Sequence, residues 1–195
     1  MSKPTTAFYN HFSFFYPVVD VFLKPQKRRL FEEVNKLPQG KLLEIGVGNG
    51  AHLNQYKNHD ITGIDTSIAM IEHARRNRPE NITLIVMNGE TLSFPNQQFD
   101  YVVLSHVIAV TDNPDRLLQE VYRVLKPQGR IFILNHFTPN SWLKYIDQAV
   151  EPLARAFRFK SVFRAEDLKT LQKFSLQKEL SVSPASYFKL LIYQK

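Results

Sequence analysis

Glycine recurs at alternate positions in the run Glu44-Ile-Gly-Val-Gly-Asn-Gly50, directly behind an acid. Gly46, Gly48 and Gly50 let a backbone turn sharply and let a ligand approach without interference from Cβ atoms. Asp65 closes the next apolar run, Ile61-Thr-Gly-Ile-Asp65, where a carboxylate can accept hydrogen bonds from ribose hydroxyls. Glycines and acid together point to a cofactor that contains adenosine. Two histidines stand just past later apolar runs, His106 after Phe99–Leu104 and His136 after Arg130–Leu134. An imidazole so placed can take up a proton from a reacting group. It can equally be a polar residue satisfied at a strand end. No group of histidines and acids has metal-ligand spacing, and the chain has no cysteine, so disulfides and thiolate metal sites are excluded.

These residues need a frame. Short apolar runs at 41–45, 61–65, 81–86, 99–104 and 130–134 alternate with helical segments, which predicts parallel βαβ units. Ser67 is placed to cap a helix running to about Asn77, which Pro79 stops. Asn113 caps another, with Pro114 in its first turn and Leu117, Leu118, Val121 and Leu125 as its apolar stripe. Lys126-Pro-Gln-Gly129 reads as a turn. Runs at 176–182 and 186–193 read as an antiparallel pair at the sheet edge. The fold expected is therefore α/β: a Rossmann-like, seven-stranded, mostly parallel sheet with helices on both faces and a C-terminal antiparallel pair. One domain spans 1–195. Helices over about 6–22 and 25–36 act as lid or docking elements within 1–36. Residues 40–136 form the cofactor-binding core, and 137–195 supply substrate-side helices and the closing hairpin.

Charge is unevenly spread. The net charge of +7 comes entirely from residues 1–29 and 142–164, both rich in aromatics. The N-terminal segment Phe8–Leu23 is followed by Lys24-Pro-Gln-Lys-Arg-Arg29, a combination that suits an interfacial helix on anionic lipid. A lid packed on the sheet explains its aromatics equally well. The segment 12–23 is too short to span a bilayer, and no secretory signal opens the chain. A cytoplasmic protein is expected, peripheral on the inner membrane face if the docking holds.

The loop itself fits two cofactors. Gly46, Gly48 and Gly50 give G-x-G-x-G, whereas Gly46, Gly48 and Ala51 complete the dinucleotide spacing G-x-G-x-x-A. A helix beginning at about Ala51 would offer its amides to an anion in either case. Glu44 separates them. It attracts the ammonium and sulfonium of S-adenosylmethionine and repels a pyrophosphate. The antiparallel ending is also unlike the usual dinucleotide fold.

Glu44–Gly50, Ile64-Asp-Thr-Ser67, Leu92–Asp100 and Arg123–Gly129 resemble the successive motifs of class I methyltransferases over residues 40–136. Within them, Ser105-His-Val-Ile-Ala-Val110, Asn135-His-Phe137, the glycine loop, the Tyr9–Asp20 segment and the closing Pro184–Ile192 strand are similar to the bacterial soluble-type phosphatidylethanolamine N-methyltransferases. The resemblance implies S-adenosylmethionine as cofactor. It places Gly46, Gly48 and Gly50 along the methionine part, Asp65 on the ribose, Thr66 and Met70 beside the adenine, and Asn88, Gly89 and Glu90 at its other face. Ser105 and His106 would lie near the sulfonium. Tyr9 and Tyr16 match a tyrosine pair that closes over the cofactor, Tyr9 being a catalytic candidate with His106 and His136. Many relatives carry aspartate where this chain has Asn88. The acceptor implied is the head-group amine of phosphatidylethanolamine at an anionic membrane surface. Quinone or small-molecule C- or O-methylation, and a noncatalytic cofactor-binding or lipid-docking protein, are the alternatives. No nucleic-acid partner is expected.

Overall fold

A computed structural model describes residues 26–76, 82–136, 168–182 and 188–195. The lid segment expected over 6–22, the substrate-side region over 142–164 and the 183–185 turn lie outside the described residues. Helix α1 covers residues 26–34. It is followed by β1 (Lys41–Ile45), β2 (Asp60–Asp65), α2 (Ile68–Arg76), β3 (Ile82–Val86), β4 (Phe99–Ser105), α3 (Pro114–Val124), β5 (Leu125–His136), β6 (Ser175–Ser181) and β7 (Phe188–Gln194). Single 3-10 turns stand at Leu53–Gln55 and Lys169–Lys173.

The strands form one seven-stranded sheet in the order β3-β2-β1-β4-β5-β7-β6. Pairs from β3 to β5 are parallel, and β7 runs antiparallel to both β5 and β6. Chain direction across the sheet therefore reverses between β1 and β4, and loops leaving both strands flank that switch point. Side chains alternate between faces. Leu43, Val102, Leu104 and Ile133 meet Leu117, Leu118 and Val121 of α3 and Leu171 and Phe174 of the second turn. On the other face, Leu42, Val103, Phe132 and Leu190 meet Leu30 and Val34 of α1 and Ile71 and Ala74 of α2.

Both expected helix caps form. Ser67 Oγ accepts the Met70 N–H at 3.3 Å, and Asn113 Oδ1 accepts the Arg116 N–H at 3.0 Å, with Pro114 opening α3. Two expectations fail. No α-helix starts at Ala51; only the turn Leu53–Gln55 precedes β2. Few residues separate Gly50 from Asp60, and three of them, Asn54, Gln55 and Asn58, are asparagine or glutamine. One turn already buries Leu53 and Tyr56, so nothing drives a longer helix. The Lys126–Gly129 turn, moreover, lies inside β5. Leu125 pairs with Phe99 and Arg130 with Tyr101, so the four residues form a wide irregularity, with Gln128 at φ 65°.

Candidate active site

The site is made by loops leaving one edge of the sheet. Gly46 and Val47 donate to Ile64 O at 2.7 and 3.1 Å, Met87 donates to Asp65 O at 3.0 Å, and His106 donates to Leu134 O at 2.8 Å. Each bond extends parallel pairing past the strand end and fixes where its loop departs. The loops surround an open cleft. Gly46, Gly48, Asp65, Thr66 and Met70 line one side of it, and Met87, Asn88, Gly89 and Glu90 come from the end of β3. Ser105, His106, Val107, Val110, Thr111 and Asp112 come from the loop after β4.

Asp65 organises the first of these walls. Its Oδ2 accepts the Gly48 N–H at 2.9 Å, and its Oδ1 accepts the Ser67 N–H at 2.9 Å. Each carboxylate oxygen retains a lone pair for a ligand hydroxyl. Burial pushes this carboxyl above its ordinary value, and the backbone N–H groups of Ser67, Gly48 and Thr66 only partly counter it. Gly46 owes its identity to packing as well as to turning. A Cβ there would lie 2.3 Å from Val107 Cγ2, at φ 78°. So the glycine loop and the loop after β4 close on each other.

Several expected residues lie elsewhere. Gly50 packs on Ala74 of α2, where a Cβ would lie 2.7 Å from the Ala74 Cβ, and it does not line the cleft. Glu44 shares its strand face with Leu42, so its carboxylate points under α1 rather than into the cleft. It is 1% exposed, and its Oε1 lies 2.8 Å from His52 Nε2. Its Oε2 has no hydrogen-bond partner among the described residues. Nearby, burial and then the Glu44 charge hold the Tyr56 hydroxyl far above its ordinary pKa. His136 is buried and outside the cleft; the Phe188 ring meets it at 6.4 Å and meets His106 at 5.7 Å. Its position one residue past Asn135 on β5 keeps it within the sheet, because β5 runs on to 136 instead of ending at 134. Tyr9 and Tyr16 lie outside the described residues.

Sequence reasoning missed Met87, Val107, Val110, Thr111, Asp112 and Leu117 as cleft residues. The signal for most of them was their place directly after β4, beside the switch point.

The charge of the lining bears on the ligand. Among the described residues its acids are Asp65, Glu90 and Asp112, and no described lysine or arginine lines the cleft. This occurs in a chain of net charge +7. An all-acidic lining favours a ligand carrying an ammonium and a sulfonium and opposes a pyrophosphate. Ser105 Oγ, buried and without a partner among the described residues, is a further polar atom on this wall left for a ligand.

Comparison with known proteins agrees. Residues 43–133 match a family described as a methyltransferase domain. The chain is 30% identical to a phosphatidylethanolamine N-methyltransferase of Cereibacter sphaeroides over 176 residues, covering 87% of this chain and 86% of that protein. It is 31% identical to an aklanonic acid methyltransferase of a Streptomyces species, covering 75% and 79%. Among solved structures, a chain from a complex of the Haloferax volcanii Trm112 methyltransferase activator with a methyltransferase shares the fold, with a TM-score of 0.79 at 14% identity and coverage of 100% and 98%. The chain belongs to the class I S-adenosylmethionine-dependent methyltransferases. S-adenosylmethionine is its cofactor, which the acidic cleft fits.

Proposed function

We propose that this methyltransferase acts on the head-group amine of phosphatidylethanolamine at an anionic membrane surface. The observation that carries this reading is the separation of charge. The cleft is lined by Asp65, Glu90 and Asp112, while the chain's excess of positive charge lies in residues 1–29 and 142–164. An acidic cleft draws in a cationic amine, and basic, aromatic segments suit an anionic lipid surface. Likeness to the Cereibacter protein across 87% of the chain, well beyond the matched family region, supports the same acceptor.

S-adenosylmethionine supplies a methyl carbon already activated by its sulfonium. The protein's task is then to position the amine in line with it, to exclude water and to accept a proton. A primary amine has a pKa of about 10, so it must lose a proton before its nitrogen can attack. His106 is the imidazole on the cleft wall and is assigned that proton. Its backbone at φ 59° turns the chain as it leaves β4, directly after Ser105. Asp65 would hold the ribose, with Thr66 and Met70 beside the base and Gly46 and Gly48 along the methionine part.

One observation favours a second reading, a small-molecule C- or O-methyltransferase. The aklanonic acid methyltransferase is as similar in sequence as the lipid enzyme. A labelled methyl-transfer assay decides between them. It presents vesicles of phosphatidylethanolamine mixed with anionic lipid beside a dissolved phenolic quinone precursor. The proposal expects label in the lipid phase, falling when the anionic lipid is replaced by a zwitterionic one. Label in the phenol alone overturns it.

A further inference from the structure

The end of β3 and the loop after β4 are tied through one residue. Glu90 Oε1 accepts Thr111 Oγ1–H at 2.6 Å and the Asn113 N–H at 2.9 Å. Its carbonyl accepts Arg116 Nε–H at 3.0 Å. Asp112 is thus held between two residues that are both pinned to Glu90. It lines the cleft, exposed at its rim, and among the described residues its carboxylate has no hydrogen-bond or ion-pair partner. Asn88, also on the cleft, has its Oδ1 engaged by the Glu90 N–H at 2.9 Å. Asn88, Glu90 and Asp112 therefore form one rim, in which Asn88 Oδ1 and Glu90 Oε1 are engaged and the Asp112 carboxylate has no partner among the described residues.

The sheet edge orders the parts of an adenosine along this rim. The glycine loop follows β1, and Asp65, which suits ribose hydroxyls, ends β2. From Asp65 the cleft continues past Thr66 and Met70 to Met87, Asn88, Gly89 and Glu90 at the end of β3, so a base held there by its ribose extends toward the rim. We infer that Asp112 is the acceptor for the exocyclic amino group of adenine, because its charged carboxylate accepts more strongly than the neutral, already singly bonded Asn88 oxygen. This rests on S-adenosylmethionine occupying the cleft. An amino N–H donating to a free carboxylate is a charge-assisted hydrogen bond. A 6-oxopurine would set a carbonyl oxygen against that same carboxylate, so Asp112 both selects adenine and rejects hypoxanthine.

Calorimetric binding of S-adenosylhomocysteine and its 6-oxo analogue, S-inosylhomocysteine, tests this without turnover. Wild type should prefer the amino ligand by about tenfold or more. Asp112→Ala should weaken the amino ligand about tenfold and leave the oxo ligand unchanged or tighter, collapsing the preference. Asp112→Asn, whose amide can donate to a carbonyl, should bind the oxo ligand better than Asp112→Ala does. The melting temperatures of the ligand-free variants should match wild type, because this exposed side chain has no partner among the described residues. Equal weakening of both ligands, or no change in either while wild type binds S-adenosylhomocysteine, overturns the assignment. Failure of wild type to bind S-adenosylhomocysteine overturns the cofactor reading and this inference with it.

Discussion

The two ends of the sheet treat polar atoms in opposite ways. At the end away from the cleft, ionisable groups are saturated. Arg123 donates to Leu92 O, Phe94 O and Asn96 Oδ1 at 2.7–2.9 Å and pairs with Glu120 at 2.8 Å. Asp100 takes the Lys41 N–H at 2.9 Å and Lys126 Nζ at 2.8 Å. Lys195 Nζ caps the carbonyls of Tyr122 and Leu125 and sits 4.4 Å from the Tyr122 ring centroid. At the cleft end, neither the Asp112 carboxylate nor Ser105 Oγ has a partner among the described residues. One end is built for stability, and the other keeps bonding capacity for a ligand. Two motifs that carry the family resemblance, 92–100 and 123–129, thus owe their residues to closing the far end rather than to chemistry.

Arg123→Ala should break this contrast most severely. It frees three acceptors over 92–96 and strands Glu120, lowering stability by about 3 kcal/mol in chemical denaturation. Affinity of the folded protein for S-adenosylhomocysteine should stay near wild type; a large loss of affinity would mean the two ends are not separable. Gly46→Ala should do the reverse. Its Cβ must displace Val107 and hold φ 78°, so binding of S-adenosylhomocysteine should fall more than tenfold, beside a stability loss of about 2 kcal/mol. His52→Ala leaves the buried Glu44 carboxylate without its His52 partner and should cost about 2 kcal/mol. Adding Glu44→Gln should recover part of that loss, which a double-mutant cycle reads directly.

The smallest effect concerns acid. Burial pushes the Asp100 carboxyl up, but Lys126 and the Lys41 N–H outweigh it and hold the group below its ordinary value. A lowered folded pKa stabilises fully above the unfolded value, about 4, and that stability fades as pH falls through the folded one. Asp100→Asn should therefore flatten the loss of stability below about pH 4. The change should stay under about 1 kcal/mol, since Lys126 and Asp100 are 41% and 30% exposed.

Much of the fold was legible because its signals are local. Short apolar runs alternating with helical segments placed β1 through β5, and Ser67 and Asn113 marked their helix starts within a residue. The direction of Glu44 was less accessible. Its place before the glycines suggests the cleft, but strand alternation with Leu42 turns it under α1, and only the presence of His52 there makes the burial tolerable. The Lys126–Gly129 irregularity looked like an ordinary turn because Pro127 and Gly129 signal chain reversal. Pairing on both sides of it, by Leu125 and Arg130, is a tertiary fact. Asp112 stood out least: it is an acid beside a helix cap, and its meaning depends on Glu90 reaching Thr111 and Asn113 across the loops.

The insertion of β7 between β5 and β6 has a consequence for synthesis. Strand β5 is buried from Ile131 to His136, and among the described residues its outer edge is paired by 188–194. While the chain is being made, that edge stays open for the time needed to translate some fifty further residues, seconds at ordinary elongation rates of about 5–20 residues per second. A nascent chain stalled after residue 136 thus presents an apolar strand with unpaired backbone groups to its neighbours. Its yield in a cell should depend on a chaperone holding that strand until β7 arrives.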